Sequence, residues 1–128
     1  MGTKTEDILL KPDFYFEDDR GKLVQLFHEG YEQVNVLISH KGVNRGGHYH
    51  KVSNEAFFIV KGQVELTIKD TDGNKRKHEL KENDFFRVSP YQVHSMYFPE
   101  DCIMIGMYDI CVEKADGSKD IYPDPEED

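Results

Sequence analysis

Two histidines, His48 and His50, stand two residues apart, and Glu55 follows five residues after the second. Residues two apart on an extended chain leave the same face, so the two imidazoles can converge on one point. Five is odd, and an unbroken strand would send Glu55 to the opposite face. The polar segment Lys51-Val52-Ser53-Asn54 is therefore expected to turn or bulge and bring the carboxylate back. Two imidazoles and one carboxylate form a facial ligand set for a first-row divalent metal and leave positions open for water or substrate. Zn, Mn, Fe, Ni and Co all suit such a set, and the residue types do not choose among them. His28, His40 and His78 lack this spacing and are expected to be solvated or structural.

Written out with its neighbours, the stretch runs Gly42, five residues, His48, Tyr49, His50, four residues, Glu55, six residues, Gly62. It resembles the first motif of the cupin superfamily at every fixed position. The second cupin motif is looser, with Asn83-Asp84 where Gly-Asp is usual, Pro90 one residue late and Phe98 in place of the closing Asn. His94 keeps the expected separation from Asn83, and the resemblance assigns it as the fourth ligand beside His48, His50 and Glu55. The implied fold is all-β: a single-domain cupin, that is, a double-stranded β-helix forming an antiparallel barrel or jelly roll.

Within that superfamily the chain resembles the small cupins of nucleotide-sugar metabolism, the ketoisomerases and epimerases of 4-keto-6-deoxy hexoses and the cupin domains of capsule-sugar enzymes. The marks are Asp19-Arg20-Gly21-Lys22-Leu23-Val24 and Arg45-Gly46-Gly47-His48-Tyr49-His50-Lys51. The resemblance implies a small-molecule ligand, a nucleotide sugar, with Arg20 and Arg45 meeting phosphate or sugar oxygens. Arg87 and Tyr91 are further candidates to contact it. Ketoisomerases of this type generally lack a counterpart of Glu55 and work without metal, so this chain departs from them. With a metal bound, the histidines are engaged as ligands. The ion would act as a Lewis acid on the keto oxygen while another residue moves the proton, with Tyr49, Tyr91 and Tyr97 as the nearby candidates among which the sequence does not choose. Two other readings stay open: an Fe(II)-type dioxygenase with the same ligand set, and a non-catalytic cupin that binds a small molecule. Fold alone does not separate them.

The elements that must position these residues are strands. From about residue 13 the chain is a series of short β-type runs with no sustained helical period, and about ten such runs at regular spacing suggest a barrel or sandwich. In Gln63 to Lys69, Val64, Leu66 and Ile68 alternate with polar residues, as in a strand with one face in the core. Asp18-Asp19-Arg20-Gly21 and Thr71-Asp72-Gly73-Asn74 carry the Asp, Asn and Gly that hairpin turns demand. The expected organisation is an N-terminal extension (1–12), one cupin domain (13–112) and an acidic tail (113–128) that is mobile or laid along the surface.

With 128 residues, 38% hydrophobic and 32% charged, the chain has the composition of one soluble globular domain. Its net charge of −9 argues against nucleic acid and anionic membranes as partners. No apolar run is long enough to span a bilayer, and the N-terminus lacks the apolar centre of a secretory signal, which predicts a cytoplasmic protein. Cys102 and Cys111 fall in one predicted strand, Cys102 to Val112, which would hold them about 30 Å apart; they are expected to be free, buried thiols. A cupin of this length usually exposes strand edges and one apolar sheet face, so the resemblance predicts a homodimer.

Overall fold

A computed structural model describes residues 2–125. Two antiparallel sheets face each other. One runs β3 (Gln33–Ser39), β10 (Cys102–Tyr108), β5 (Glu55–Lys61), β8 (Phe85–Val88) in spatial order. The other runs β11 (Tyr122–Pro123), β4 (Asn44–Tyr49), β9 (Val93–Tyr97), β6 (Gln63–Lys69), β7 (Lys75–Lys81). A hairpin of β1 (Phe14–Asp18) and β2 (Gly21–Gln25) forms a separate two-stranded sheet, and a single helical turn, α1 (Thr5–Ile8), precedes it. This is the all-β jelly-roll arrangement the motifs predict. The Asp18–Gly21 and Thr71–Asn74 turns fall where expected, the first closing β1 to β2 and the second β6 to β7.

The core lies between the sheets. Phe57 and Ile59 on β5, Leu66 and Ile68 on β6, Phe86 and Val88 on β8, Met96 on β9 and Met104 on β10 are all buried there. Phe57 stacks on Phe86 with ring centroids 5.3 Å apart. Gly62, the last residue of the first motif, joins β5 to β6 with φ +96, and a Cβ on it would clash with the Asp101 carbonyl oxygen. Both the left-handed backbone and the close approach exclude a side chain at this corner.

Three features of the layout have physical causes, and the first departs from the predicted strand. The strand starting at Cys102 ends at Tyr108, because the Asp109 carboxylate turns to bind the backbone N–H of Asn54 (2.8 Å) and its side-chain amide (2.9 Å). Cys102 is therefore a buried core thiol, whereas Cys111, beyond the strand, is exposed rather than buried; both are free. The N-terminal extension is anchored: Ile8 enters the core, Leu9 bridges to Phe86, and the Leu10 N–H bonds the Phe85 carbonyl at 2.7 Å. It thereby covers the outer edge of β8, which would otherwise expose an unpaired ladder. The acidic tail, through residue 125, lies along the barrel, and β11 extends the second sheet beside β4.

Truncating the stacked ring tests the core assignment. Phe57→Ala should lower stability by about 3–5 kcal/mol, seen as a shifted midpoint in urea unfolding with an unchanged slope.

Candidate metal centre

β4 supplies His48, and its continuation supplies His50. A register shift between Gly46 and His48 marks a bulge in the pairing with β9. Gly46, with φ +96, makes the approach possible: a Cβ there would meet the His94 carbonyl oxygen at 2.6 Å. After His50 the chain bends through residues 51–54 and enters β5 at Glu55, which is the turn that the odd spacing requires. His94 comes from β9, paired directly with His48. The three imidazoles and the carboxylate each offer one ligand atom, and all four atoms lie within 4.8 Å of one another.

The quartet sits deep. His50 is fully buried, and Glu55 and His94 nearly so. His48 and His94 pack edge to face with centroids 4.6 Å apart. The Glu55 Oε1 is 3.0 Å from His50 Nε2 and 3.5 Å from His94 Nε2. The backbone carbonyl of Asp120 lies 2.6 Å from His50 Nδ1, and a carbonyl can only accept, so Nδ1 carries hydrogen and Nε2 faces the cluster. Nε2 then meets the carboxylate either through a proton of its own or through a cation between them. The donor set, its burial and its convergence fit a divalent ion with His48, His50, Glu55 and His94 as ligands.

The electrostatics follow from burial and proximity. Burial, reinforced by the neighbouring His94 and His50 charges, lowers His48 to about 4, so its imidazole is neutral at pH 7. For His50 burial opposes the charge, but the Glu55 carboxylate and the Asp120 carbonyl outweigh it and raise the pKa. Glu55 is likewise pushed up by burial and pulled further down by its two imidazole partners, to about 2. Burial and the nearby Glu55 raise the Tyr108 hydroxyl, keeping it protonated.

A cavity of about 170 Å³ opens onto the cluster, lined by Leu37, Arg45, Phe57 and Met96 as well as by Tyr108 and three of the ligand residues, His48, Glu55 and His94. Arg45 is held at this cavity by Ser39 Oγ (2.8 Å) and the Ile38 carbonyl (3.3 Å), which leaves other guanidinium N–H groups for a ligand. The other sequence candidates lie elsewhere. Tyr49 leaves the opposite face of β4 from the histidines and stacks between Tyr91 and Tyr122; with Tyr91 it lines a separate outer cavity. Tyr97 also faces outward, beside Asn44 and Glu65. Strand alternation requires this, since His48, His94 and Met96 take the inward positions. Arg20 lies at the β1–β2 turn, paired with Asp18 at 2.7 Å and with its side chain 86% exposed. Arg87 is exposed on β8. None of these five reaches the cavity within one chain.

Tyr108 was not singled out by the sequence, although it lies opposite Glu55 in the β10–β5 ladder and packs edge to face on His50 at 5.3 Å. Its parity with Met104 in the β10 run was the available signal. Among the other histidines, His28 and His40 are exposed, and His78 is buried with Thr5 Oγ1 at 2.6 Å from its Nδ1.

Fold and cluster together define a cupin domain. The chain belongs to the Polysaccharide biosynthesis C-terminal domain family, which it matches over residues 16–101. It is 33% identical over 54 residues to the UDP-2-acetamido-2,6-β-L-arabino-hexul-4-ose reductase of Pseudomonas aeruginosa, a match that takes in 41% of this chain and only 14% of that protein. The structure resembles the dTDP-4-dehydrorhamnose 3,5-epimerase of Sulfolobus tokodaii, with TM-score 0.64 and 25% identity, covering 73% of this chain and 65% of the other. It also resembles QdtA, a sugar 3,4-ketoisomerase from Thermoanaerobacterium thermosaccharolyticum in complex with TDP, with TM-score 0.69 and 20% identity over 84% of this chain and 83% of the other. At that identity the second likeness speaks for the fold. No helix among the described residues is long and apolar enough to cross a membrane.

The shifted His48 gives a pH signature in chelator-treated protein. Between pH 6.5 and about 4 the unfolded chain accepts a proton that folded His48 refuses, so acidification removes stability across this window. Thermal unfolding of wild type should therefore lose ground to His48→Asn as the pH falls from 6.5 to about 4. Parallel profiles would contradict the assignment.

Proposed function

We propose that this chain isomerises or epimerises a nucleotide-linked keto sugar used in polysaccharide or deoxysugar assembly. One divalent ion would be held by His48, His50, Glu55 and His94. The observation that carries the reading is the convergence of that quartet on a cavity lined by one arginine and one phenol, in a chain of this family. When bound, the ion supplies Lewis-acid polarisation of a carbonyl oxygen.

The chain's own residues supply the rest. A cavity of about 170 Å³ is smaller than the pockets of about 300–1,000 Å³ that engulf whole ligands. It suits a single sugar ring, with the nucleotide outside. Leu37, Phe57 and Met96 keep that ring's surroundings dry, and Arg45 sits where a sugar or phosphate oxygen would emerge. Tyr108, protonated by its surroundings, is placed to give a proton to the sugar; this role falls to it because Tyr49 and Tyr97 face away. Shifting a ketone or inverting its neighbouring carbon requires loss and return of a proton at carbon, which solvent can label.

Incubation with TDP-4-keto-6-deoxyglucose in D₂O, followed by NMR, should show deuterium entering next to the carbonyl. Tyr108→Phe should slow this by about 10²–10⁴-fold, the range for loss of one acid–base group. Oxygen consumption without exchange would favour the dioxygenase reading. Tight binding with neither would favour the non-catalytic one.

The active form is proposed to be a homodimer. Val34, Val36 and Ile38 project from one face of the edge strand β3, and Phe14, Tyr15, Phe16 and Leu23 are exposed on a hairpin that joins neither main sheet. An isolated two-stranded hairpin is at best marginal in water. A second copy would supply what each element lacks, since a twofold axis lets hairpin and edge strand each meet its counterpart. Size-exclusion chromatography with light scattering at micromolar concentration should give twice the 14.9 kDa chain mass. A Val36→Glu, Ile38→Glu variant should run as a monomer, and a monomeric wild type would refute the proposal.

A further inference from the structure

The sequence reading leaves the acidic tail without a task, yet its described part is bonded to the metal centre at several points. The Asp120 carbonyl accepts from His50 Nδ1 at 2.6 Å. The Asp120 carboxylate, itself buried, accepts the consecutive backbone N–H groups of Lys51 (2.8 Å), Val52 (2.9 Å) and Ser53 (2.8 Å). Those three amides form the turn that returns Glu55 to the face of His48 and His50. One residue thus holds the orientation of one ligand and the path of the chain to another.

The segment on either side is fastened as well. Asp120 N–H bonds the Val112 carbonyl at 2.8 Å, and Asp124 N–H bonds the Gly47 carbonyl at 3.0 Å. Tyr122 and Pro123 pair with Tyr49 and His48. The Tyr122 ring lies 5.5 Å from that of Tyr49, with Lys51 Nζ 4.2 Å from its centroid. The Asp124 carboxylate is buried against Lys69 at 2.7 Å. Burying two carboxylates is unfavourable unless each is satisfied, and here three amides satisfy one and an ammonium the other.

We infer that residues 119–125 are a strap whose docking and metal binding at the His48, His50, Glu55, His94 cluster are coupled, with Asp120 as the positioning residue. The inference rests on the metal reading above. A docked strap fixes the His50 tautomer with Nε2 toward the cluster and pre-forms the turn before Glu55, so the ligands need less ordering when an ion arrives. Coupling is reciprocal: an ion that favours the ordered quartet must favour the docked strap by the same factor.

The test uses the whole chain and zinc or cobalt alone as the probe. Asp120→Ala deletes the three amide bonds and should weaken zinc by about 10- to 100-fold in competitive titration, the range for loss of such supporting groups. It should also alter the visible spectrum of the cobalt form. Asp120→Asn retains one acceptor oxygen and should recover part of the affinity. In wild type, which carries no folding risk, zinc should slow hydrogen exchange at the Asp120 and Asp124 amides. Wild-type affinity and an unchanged cobalt spectrum in Asp120→Ala would overturn the strap and leave the metal reading standing, as would zinc-insensitive exchange in a wild type that binds zinc. A wild type that binds neither metal would overturn both.

Discussion

A carboxylate placed inside an apolar barrel is unstable as a lone charge, and the structure around Glu55 follows from that constraint. Its side chain is 8% exposed, with His50 Nε2 at 3.0 Å and His94 Nε2 at 3.5 Å. The penalty for stripping water from such a group is several kcal/mol even after relaxation, so it must face cations or donors. The imidazoles of His50 and His94 face it, and a proton on His50 or a divalent ion can each bridge the gap. Proton and ion therefore compete for one position, and metal affinity must fall as the pH falls.

Holding the quartet is a task for backbone more than for side chains. Gly46 allows β4 to run against the His94 carbonyl, Gly62 turns the corner after β5, and the bulge before His48 re-aims the strand. The buried phenylalanines and aliphatics of the two sheets keep those strands in register. The apolar core thus fixes the ligand positions to which a bound ion would be fitted.

His48, His50 and Glu55 were legible because strand periodicity turns spacing into geometry: two residues apart means one face, and an odd interval to Glu55 demands a turn. The sheets and hairpin turns were legible for the same reason, whereas His94 was assigned only through the resemblance to the second cupin motif. Tyr108 was hidden in an apolar run, because its neighbour Glu55 is 53 residues away in sequence and adjacent only through the β10–β5 ladder. Tyr49 and Tyr97 drew notice by being close in sequence to the histidines, and alternation places residues at such odd separations, one from His48 and three from His94, on the wrong face. Composition left the tail as mobile or laid along the surface; its described part is laid along the barrel, and what composition missed is how it is held. Acidic residues usually mark solvated chain, but Asp120 and Asp124 are buried with specific partners, which composition does not reveal.

X-ray absorption at the metal edge, on protein purified without added metal or chelator, tests the central claim most directly. The account predicts one ion per chain, with three imidazole nitrogens and carboxylate oxygen at about 2.0–2.2 Å for zinc, and loss of one nitrogen in His94→Ala. A shell of oxygens alone, or no ion even after reconstitution, would contradict it and leave the buried Glu55 to be neutralised by protonated imidazoles.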